Sequence, residues 1–226
     1  MTPRHLAGDD TVLAERVGSA LVGLGWSQWL TARRTLFLSS PDQLRSAEWL
    51  AADPATIRIG HLPVAWEISA RAAPDRAVGA WTAYFTVGVP HEALTDFVRA
   101  LDLRTDPAFG FDGPDAVMVE LRDGGWAPEV GQFGMTMWDP AMAACMVWAT
   151  SPDGVVDQDP RPGLPGWQSW AQPGFDEYHQ WCAAFSHSTP HDLVAAFAAG
   201  LVAPAPVQRL ILPSLPEGYL TVLPPG

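Results

Sequence analysis

The sequence contains no lysine: all 13 basic residues are arginine, against 25 acidic residues. The net charge of −12 opposes binding to a nucleic-acid duplex, because such affinity comes mainly from basic groups that displace counterions. Two cysteines are too few for a disulfide framework or a four-cysteine zinc site. The N-terminus lacks the apolar core of a signal peptide, and no apolar run approaches the roughly 18–20 residues of a membrane span. We therefore expect a cytoplasmic protein without membrane association.

Charge is spread unevenly along the chain of 226 residues. Residues 1–113 hold 10 arginines and 13 acidic residues, whereas residues 114–226 hold 3 arginines and 12 acidic residues. Any surface that binds an anion is therefore expected in the first half. The acidic second half favours solubility or attraction to a basic partner.

A phrase of 21 residues occurs twice, at Trp81–Leu101 and again one hundred positions later at Trp181–Leu201. Unrelated segments of average composition would share only about one or two of these positions, yet seven are identical. The identical pairs are Trp81/Trp181, Ala83/Ala183, Phe85/Phe185, Pro90/Pro190, His91/His191, Phe97/Phe197 and Leu101/Leu201. The chain therefore contains an internal duplication.

Each phrase changes its hydrophobic period near its proline. In the first copy Trp81, Ala83 and Phe85 recur at every second position, which is the period of a half-buried strand. After Pro90 the apolar residues recur every three or four positions, which is the period of a helix. Proline suits the first helical position because it has no amide hydrogen to leave unbonded. In the second copy Thr189 is the predicted N-cap. The phrase thus predicts a strand that turns directly into a helix.

The duplication also extends upstream. Ser40-Pro41-Asp42 and Ser151-Pro152-Asp153 have the composition of turns, and each follows a short apolar run. We equate the strands before them, 34–39 and 143–149. The remaining predicted elements of the first copy are strands at 43–50, 63–71 and 79–87 and a helix at 90–101. Those of the second copy are strands at 154–158, 166–171 and 178–187 and a helix at 190–201.

These elements predict an α+β fold, in which a unit of four antiparallel strands followed by a helix occurs twice and both copies pack as one body. Apolar spacing in 10–24 adds an N-terminal helix. We divide the chain into a first repeat with that helix at 10–103, a second repeat at 116–203, and a proline-rich tail at 204–226. The tail either adds an edge strand at Leu210–Leu212, runs extended over the surface, or reaches a neighbouring molecule.

The order of motifs resembles the SPDY-motif domain family of actinomycetes, a domain of unknown function. In the first copy the resemblance is carried by Ser40-Pro41-Asp42, Trp66-Glu67-Ile68-Ser69-Ala70 and the phrase at Trp81–Leu101. The second copy carries Ser151-Pro152-Asp153, Trp167 and the repeated phrase, and neither copy has a tyrosine after the aspartate. The resemblance implies a tandem duplication of this domain and brings no chemistry with it.

Motifs of enzymes and cofactor sites are missing. The sequence has no nucleophile elbow, phosphate-binding loop, dinucleotide fingerprint or zinc-ligand spacing. His91 and His191 are retained in both copies, but a pairing with the adjacent acid in the first helical turn explains them. We therefore expect neither catalytic residues, nor a cofactor, nor a metal site.

The first copy contains a mixture of arginines and tryptophans, as in proteins that stack unpaired bases beside phosphate-binding cations. The candidate binding residues are Trp29, Arg33, Arg34, Arg45, Trp49 and Arg58. Tryptophans on strands also pack in cores, and for Trp66, Trp81, Trp167 and Trp181 we expect that role.

Three function classes remain open. A non-enzymatic interaction protein, which binds a protein partner or itself through paired sheets or open strand edges, fits the missing catalytic motifs and the acidic second half. Binding of single-stranded nucleic acid fits the Arg/Trp set, and the duplicated unit is similar in architecture to Whirly and PUR proteins, although fold alone does not decide function. An enzyme requires a polar cleft that joins histidines and aspartates of both copies.

Overall fold

The structure is a computed structural model, and it describes residues 3–6, 8, 10–51, 53, 57–110, 113–129, 135–149, 166–172, 178–207 and 209. The helices in these ranges are α1 (Asp10–Gly23), α2 (His91–Leu103), α3 (Asp115–Asp123) and α4 (His191–Val202). The strands of the first half are β1 (Ser27–Leu30), β2 (Leu36–Ser39), β3 (Arg45–Trp49), β4 (Arg58–Ile59), β5 (Leu62–Ala70) and β6 (Trp81–Thr86). Those of the second half are β7 (Ala127–Pro128), β8 (Thr136–Trp138), β9 (Ala144–Ala149), β10 (Gly166–Ala171) and β11 (Trp181–Phe185). None of the described helices has the length and apolar character needed to cross a membrane.

The described strands form one sheet with a palindromic order. It runs β1-β2-β3-β5-β6-β11-β10-β9-β8-β7, with β4 paired to β5. The first five strands of this order therefore correspond to the last five read backwards. The halves meet where β6 pairs antiparallel with β11, which places Ala83 opposite Phe185 and Phe85 opposite Ala183. The predicted α+β fold, with an N-terminal helix and two copies in one body, is confirmed.

Four phenylalanines of the duplicated phrase meet at the centre of the molecule. Phe85 and Phe185 come from the central strand pair, and Phe97 and Phe197 come from α2 and α4. Their ring centroids lie 5.3–5.7 Å apart in tilted and edge-on contacts, and all four side chains are fully buried. Contacts of this kind stabilise a core beyond the area that they bury. The repeated phrase thus forms the shared core of both copies.

The tryptophans of the phrase lie in this core, as predicted. Trp81 and Trp181 are 2% and 0% exposed. The indole N–H group of each tryptophan donates to a segment of the other copy. That segment precedes α3 for Trp81 and α1 for Trp181. Trp81 donates to the carbonyl of Pro107 at 2.7 Å, and Trp181 donates to the carbonyl of His5 at 3.0 Å.

Two ion pairs repeat this reciprocal arrangement at the helix starts. Arg104, just after α2, binds Asp192 in the first turn of α4. Arg209, after α4, binds both carboxylate oxygens of Glu92 in the first turn of α2 at 2.7 and 3.0 Å. Each copy therefore supplies the cation that neutralises the acid at the start of the other copy's helix.

The predicted equivalence of strands 34–39 and 143–149 is wrong. Strand β9, which covers most of 143–149, pairs with β8 and β10 and so occupies the place of β3 rather than β2. The counterpart of β2 is β8, which the sequence patterns did not predict. The predicted strand 154–158 and the turn at Ser151-Pro152-Asp153 lie outside the described residues, as does Leu210–Leu212.

The turn at Ser40 has its structural counterpart at Asp139. The Ser40 N–H donates to the carbonyl of Arg45 at 3.1 Å, and the Asp139 N–H donates to the carbonyl of Ala144 at 3.0 Å. In return each side chain accepts the N–H at the end of its turn, at 3.0 Å in the first copy and 2.6 Å in the second. Each turn includes one non-glycine residue with positive φ, 60° in the first and 58° in the second. Serine and aspartate perform the same turn chemistry, which hid the equivalence.

The helices start differently from the predicted capping pattern. Both α2 and α4 have a proline at the N-cap, Pro90 and Pro190, and neither cap makes a side-chain hydrogen bond. Thr189 is therefore not the N-cap. Its N–H donates to the carbonyl of Ser186 at 2.9 Å, and its hydroxyl lies 3.2 Å from that of Ser186, so it closes the turn after β11 instead.

Candidate functional site

Strand β1 ends the sheet in the first copy, and no described residue pairs with its outer edge. All four residues of Ser27–Leu30 are exposed, including large apolar side chains: Trp29 is 48% and Leu30 70% exposed. Unpaired strand edges are templates for pairing with another chain, and proteins usually shield them. This edge carries neither a charged residue nor a proline.

The hairpin fixes which backbone groups point outward. The Thr31 N–H donates to the carbonyl of Thr35 at 2.9 Å, so these two residues form a hydrogen-bonded pair. Antiparallel ladders alternate between bonded and non-bonded pairs, so Trp29 is bonded to β2, and Gln28 and Leu30 are not. The N–H and C=O groups of Gln28 and Leu30 therefore face the open edge.

Two arginines flank this edge at the tip of the hairpin. Arg33 and Arg34 are exposed, and Arg34 has a φ of 64°. The Arg33 N–H donates to the hydroxyl of Thr31 at 3.2 Å, which closes the turn and leaves both guanidinium groups outside it. The edge of β1 thus ends in local positive charge.

The strand at the opposite end of the sheet is poorly suited to pairing with another chain. Strand β7 has only two residues, Ala127 and Pro128, and proline cannot donate a backbone hydrogen bond. Duplication therefore produced one open edge, at β1, and one blunted edge, at β7.

Trp29 begins a row of side chains that crosses the sheet on the face opposite the helices. Its ring centroid lies 4.9 Å from that of Phe37, its cross-strand neighbour. The row continues through Glu48 and Glu67, which lie directly opposite each other on β3 and β5. Both acids are partly exposed, so negative charge adjoins the aromatic pair.

Arg45, a predicted binding residue, is buried and makes structural hydrogen bonds. It is 6% exposed, and its Nε donates to the carbonyl of Leu101 at 3.0 Å. Its other nitrogens bind the carbonyl of Arg104 and the carboxylate of Asp42. Hydrogen bonds from Ser40, Leu44 and Arg45 outweigh the effect of burial and lower the pKa of Asp42. Arg45 therefore satisfies the carbonyl groups that end α2.

The other predicted residues fall into two groups. Trp29, Arg33 and Arg34 lie together at the β1–β2 hairpin. Trp49 is partly buried against Trp66, with ring centroids 5.4 Å apart, and Arg58 is exposed but donates to the carbonyl of His61 in the β4–β5 hairpin. The structure thus brings together half of the predicted Arg/Trp set.

A cleft of about 420 Å³ opens in the second copy at the start of α4. Trp148 lies between two imidazoles, with ring centroids 5.5 Å from His187 and 5.1 Å from His191. The cleft is also lined by small residues and by Phe109. His187 is exposed and His191 partly buried, and among the described residues the buried Nδ1 of His191 has no hydrogen-bond partner.

Among the described residues, no group of three or more His, Cys, Asp or Glu side chains is placed to hold a metal ion. Both cysteines are unlinked and buried, and burial followed by the charges of Glu129 and Asp139 strongly raises the pKa of the Cys145 thiol. At the start of α2, burial lowers the pKa of His91, whose Nδ1 lies 3.5 Å from Glu92. His91 therefore lies beside its adjacent acid, whose carboxylate oxygens are both bound by Arg209.

The sequence patterns missed the open edge and the cleft. Strand β1 shows no clear alternation, and only its register with β2 shows that Gln28 and Leu30 face outward. The cleft is signalled by a difference between the copies, because Val87-Gly88-Val89 becomes His187-Ser188-Thr189.

Comparison with known proteins identifies the family of the chain. No curated protein and no solved structure matches it. The family model described as "SPDY: Domain of unknown function (DUF317)" matches residues 39–108 and 150–207. Since these two stretches together cover more than half of the chain, the protein belongs to the SPDY (DUF317) family and carries its domain in two tandem copies.

Proposed function

We propose that this protein is a non-enzymatic binding protein that takes up an extended segment of a protein partner along the outer edge of β1. The proposal rests on the observation that the edge of Ser27–Leu30 is exposed and unpaired among the described residues. In strand addition, main-chain hydrogen bonds supply affinity and alternate side chains supply specificity. Gln28 and Leu30 present the required main-chain groups.

The side chains around the edge favour one kind of partner segment. Trp29 and Leu30 project to opposite faces of the sheet, so an added strand meets an apolar side chain on each face. Arg33 and Arg34 at the hairpin tip attract an acidic residue at the end of the segment that reaches them. We therefore propose a short, extended segment with apolar residues on both faces and an acidic residue at one end.

A cytoplasmic site of action is part of the proposal. The buried, unlinked state of Cys145 and Cys182 supports a reducing compartment.

The test uses a peptide selected by phage display on the full chain and then synthesised with a fluorophore. Gln28→Pro removes the outward N–H of the edge without removing a hydrogen bond to β2, and Gln28→Ala is its matched control, because it changes the same side chain and keeps the N–H. Fluorescence anisotropy should show affinity lowered about tenfold or more in Gln28→Pro and less than about twofold in Gln28→Ala.

Equal affinity of both variants for the selected peptides would contradict strand addition at β1. The same holds if selection returns no peptide that binds the purified protein. Concentration-dependent dimerisation in analytical ultracentrifugation that Gln28→Pro abolishes would replace the partner segment with a second copy of β1.

Binding of single-stranded nucleic acid is the second candidate. It is favoured by the exposure of Trp29 beside Arg33 and Arg34, which can stack a base and bind phosphate. Against it stand Glu48 and Glu67, which continue the same row of side chains across the sheet, and the burial of Arg45.

A further inference from the structure

The residues that line the cleft in the second copy have counterparts in the first. Trp81 donates a hydrogen bond to Pro107, and Trp181 donates the equivalent bond to His5. Pro107 before α3 and His5 before α1 are therefore equivalent positions. One residue further on, Ala108 lines the cleft, and its counterpart is the larger Leu6; both residues are buried. The first copy therefore has a larger side chain at the position where alanine lines the cleft of the second.

The alignment is confirmed two residues further along. A Cβ atom on Gly8 would fall 2.9 Å from the carbonyl oxygen of Val89 and 3.3 Å from the Cα of Pro90. A Cβ atom on Gly110 would fall 2.6 Å from the Cβ of Pro190. The segment with Gly8 therefore lies against the start of α2, and the segment with Gly110 lies against the start of α4. Residues of these two segments can be compared position by position.

Two further exchanges enlarge the cleft and make it polar. Ala80 lines it, while the first copy's position is taken by the larger Gln180, whose carbonyl oxygen would lie 2.5 Å from a Cβ atom on Gly88. His187 replaces Val87 at the end of the preceding strand. Small residues at the back, with an imidazole at the rim, therefore distinguish the second copy.

We propose that this cleft is a binding site for a planar aromatic acid. Its volume of about 420 Å³ lies within the roughly 300–1,000 Å³ of small-molecule sites. Trp148 supplies a flat wall and Phe109, 52% exposed, lies at its mouth, and such rings favour stacked or edge-on contact with an aromatic ligand. This site is separate from the edge of β1, and the proposal does not depend on strand addition.

The polar end of the cleft suits a carboxylate. His187 and His191 both line it, and each imidazole can donate a hydrogen bond to an anionic oxygen. The cap of α4 makes no side-chain hydrogen bond, and although the N–H groups of Leu193 and Val194 donate to the carbonyl of Pro190, the helix dipole favours negative charge at this end. The adjacent Asp192 does not oppose this, because it is paired with Arg104.

The test titrates the full chain with indole-3-acetate and with the uncharged 3-methylindole, by ligand-observed NMR and isothermal titration calorimetry. We expect saturable binding of the acid at one site, and binding of the uncharged compound that is weaker by about fivefold or more. Ala108→Leu introduces the residue found in the first copy, and it should lower the affinity for the acid by about tenfold or more. Ala72→Leu, at an exposed position, is the matched control and should change affinity by less than about twofold.

His187→Val tests the polar end without relying on the packing of Ala108. It should reduce the preference for the acid over 3-methylindole while leaving the uncharged compound bound as before. The proposal is overturned if the wild-type protein shows no saturable binding of indole-3-acetate at concentrations up to about 5 mM, an affinity barely above fragment level. It is also overturned if folded Ala108→Leu and Ala72→Leu bind the acid equally, or if both compounds bind the wild type equally.

Discussion

Gly200 on α4 lies directly against Ala93 on α2: a Cβ atom at position 200 would fall 2.7 Å from the Cα atom of Ala93. The two helices that carry half of the central phenylalanine cluster therefore approach each other as closely as their backbones allow. Only glycine permits this approach, so the spacing of the helices depends on one missing methyl group.

Substitution at this contact should destabilise the protein. Gly200→Ala forces α2 and α4 apart, and we expect it to lower the free energy of unfolding by about 1–3 kcal/mol, the usual cost of overpacking. Gly18→Ala is the matched control, because no atom lies within 4 Å of a Cβ at this position of α1, and it should raise the free energy by up to about 1 kcal/mol. Urea denaturation measures both, and equal effects would contradict the close contact.

The ion pair between Glu92 and Arg209 should make stability depend on pH. Burial raises the pKa of Glu92, but the hydrogen bonds and charge of Arg209 outweigh it, so the pKa lies below its usual value. A carboxylate with a lowered pKa stabilises the fold above the pKa of the unfolded chain, about 4.3, and loses this effect as the pH falls through its folded value. Glu92→Gln should therefore lower the free energy of unfolding by about 1–2 kcal/mol at pH 7 and by little at pH 3.

Asp96, one turn further along α2, provides a control of opposite sign. Burial raises its pKa despite the charges of Arg4 and Arg99, so its ionised form is penalised in the folded protein. Asp96→Asn should leave stability at pH 7 unchanged or increase it. If Asp96→Asn and Glu92→Gln changed denaturation midpoints in the same direction at pH 7, the role assigned to the Glu92–Arg209 pair would be wrong.

The two thiols should be inert in the folded protein. Cys145 and Cys182 are buried, and the raised pKa of Cys145 keeps it protonated, whereas the thiolate is the reactive form. We expect no reaction with Ellman's reagent at pH 8 within minutes, and two thiols per chain after unfolding in guanidinium. Ser188→Cys, at an exposed position, should add one thiol that reacts at once in the folded state.

A labelled single-stranded oligonucleotide separates the two proposed functions. With protein binding at β1, we expect no anisotropy change at about 50 mM or 200 mM salt, because carboxylates adjoin Trp29 and the whole chain repels phosphate. Binding at low salt that weakens steeply with added salt, and is lost in Arg33→Ala/Arg34→Ala, would favour nucleic-acid binding instead.

The duplicated phrase made the centre of the fold predictable. Trp81, Phe85 and Phe97 recur with fixed spacing, and the change of period at Pro90 marks a strand followed by a helix. The structure has the strand and helix that these patterns predict, because the repeated residues of both copies pack in one core. The repeated histidine of the first copy, His91, lies beside Glu92, and its structural role stays a prediction.

The upstream strands and the candidate sites were harder to predict, for physical reasons. Ser40 and Asp139 form the same turn with different side chains. An alignment on the repeated Ser-Pro-Asp sequence therefore equated the wrong strands. Arg45 and Arg33 look alike in sequence, but only tertiary packing places the first beneath the end of α2 and the second in solvent. Whether the outer edge of β1 is paired depends on which other strands lie beside it. The residues of β1 alone do not predict that.

The pairing of β6 with β11 also shapes how the chain reaches its native state. These strands are separated by about one hundred residues, so closing the sheet centre costs considerable chain entropy, and high contact order slows folding. Because the two halves share their key side chains, β11 of a second molecule offers β6 the same edge as β11 of its own chain. Pairing of β6 with β11 of a second molecule would give a domain-swapped dimer, and we expect high protein concentration during refolding to favour it.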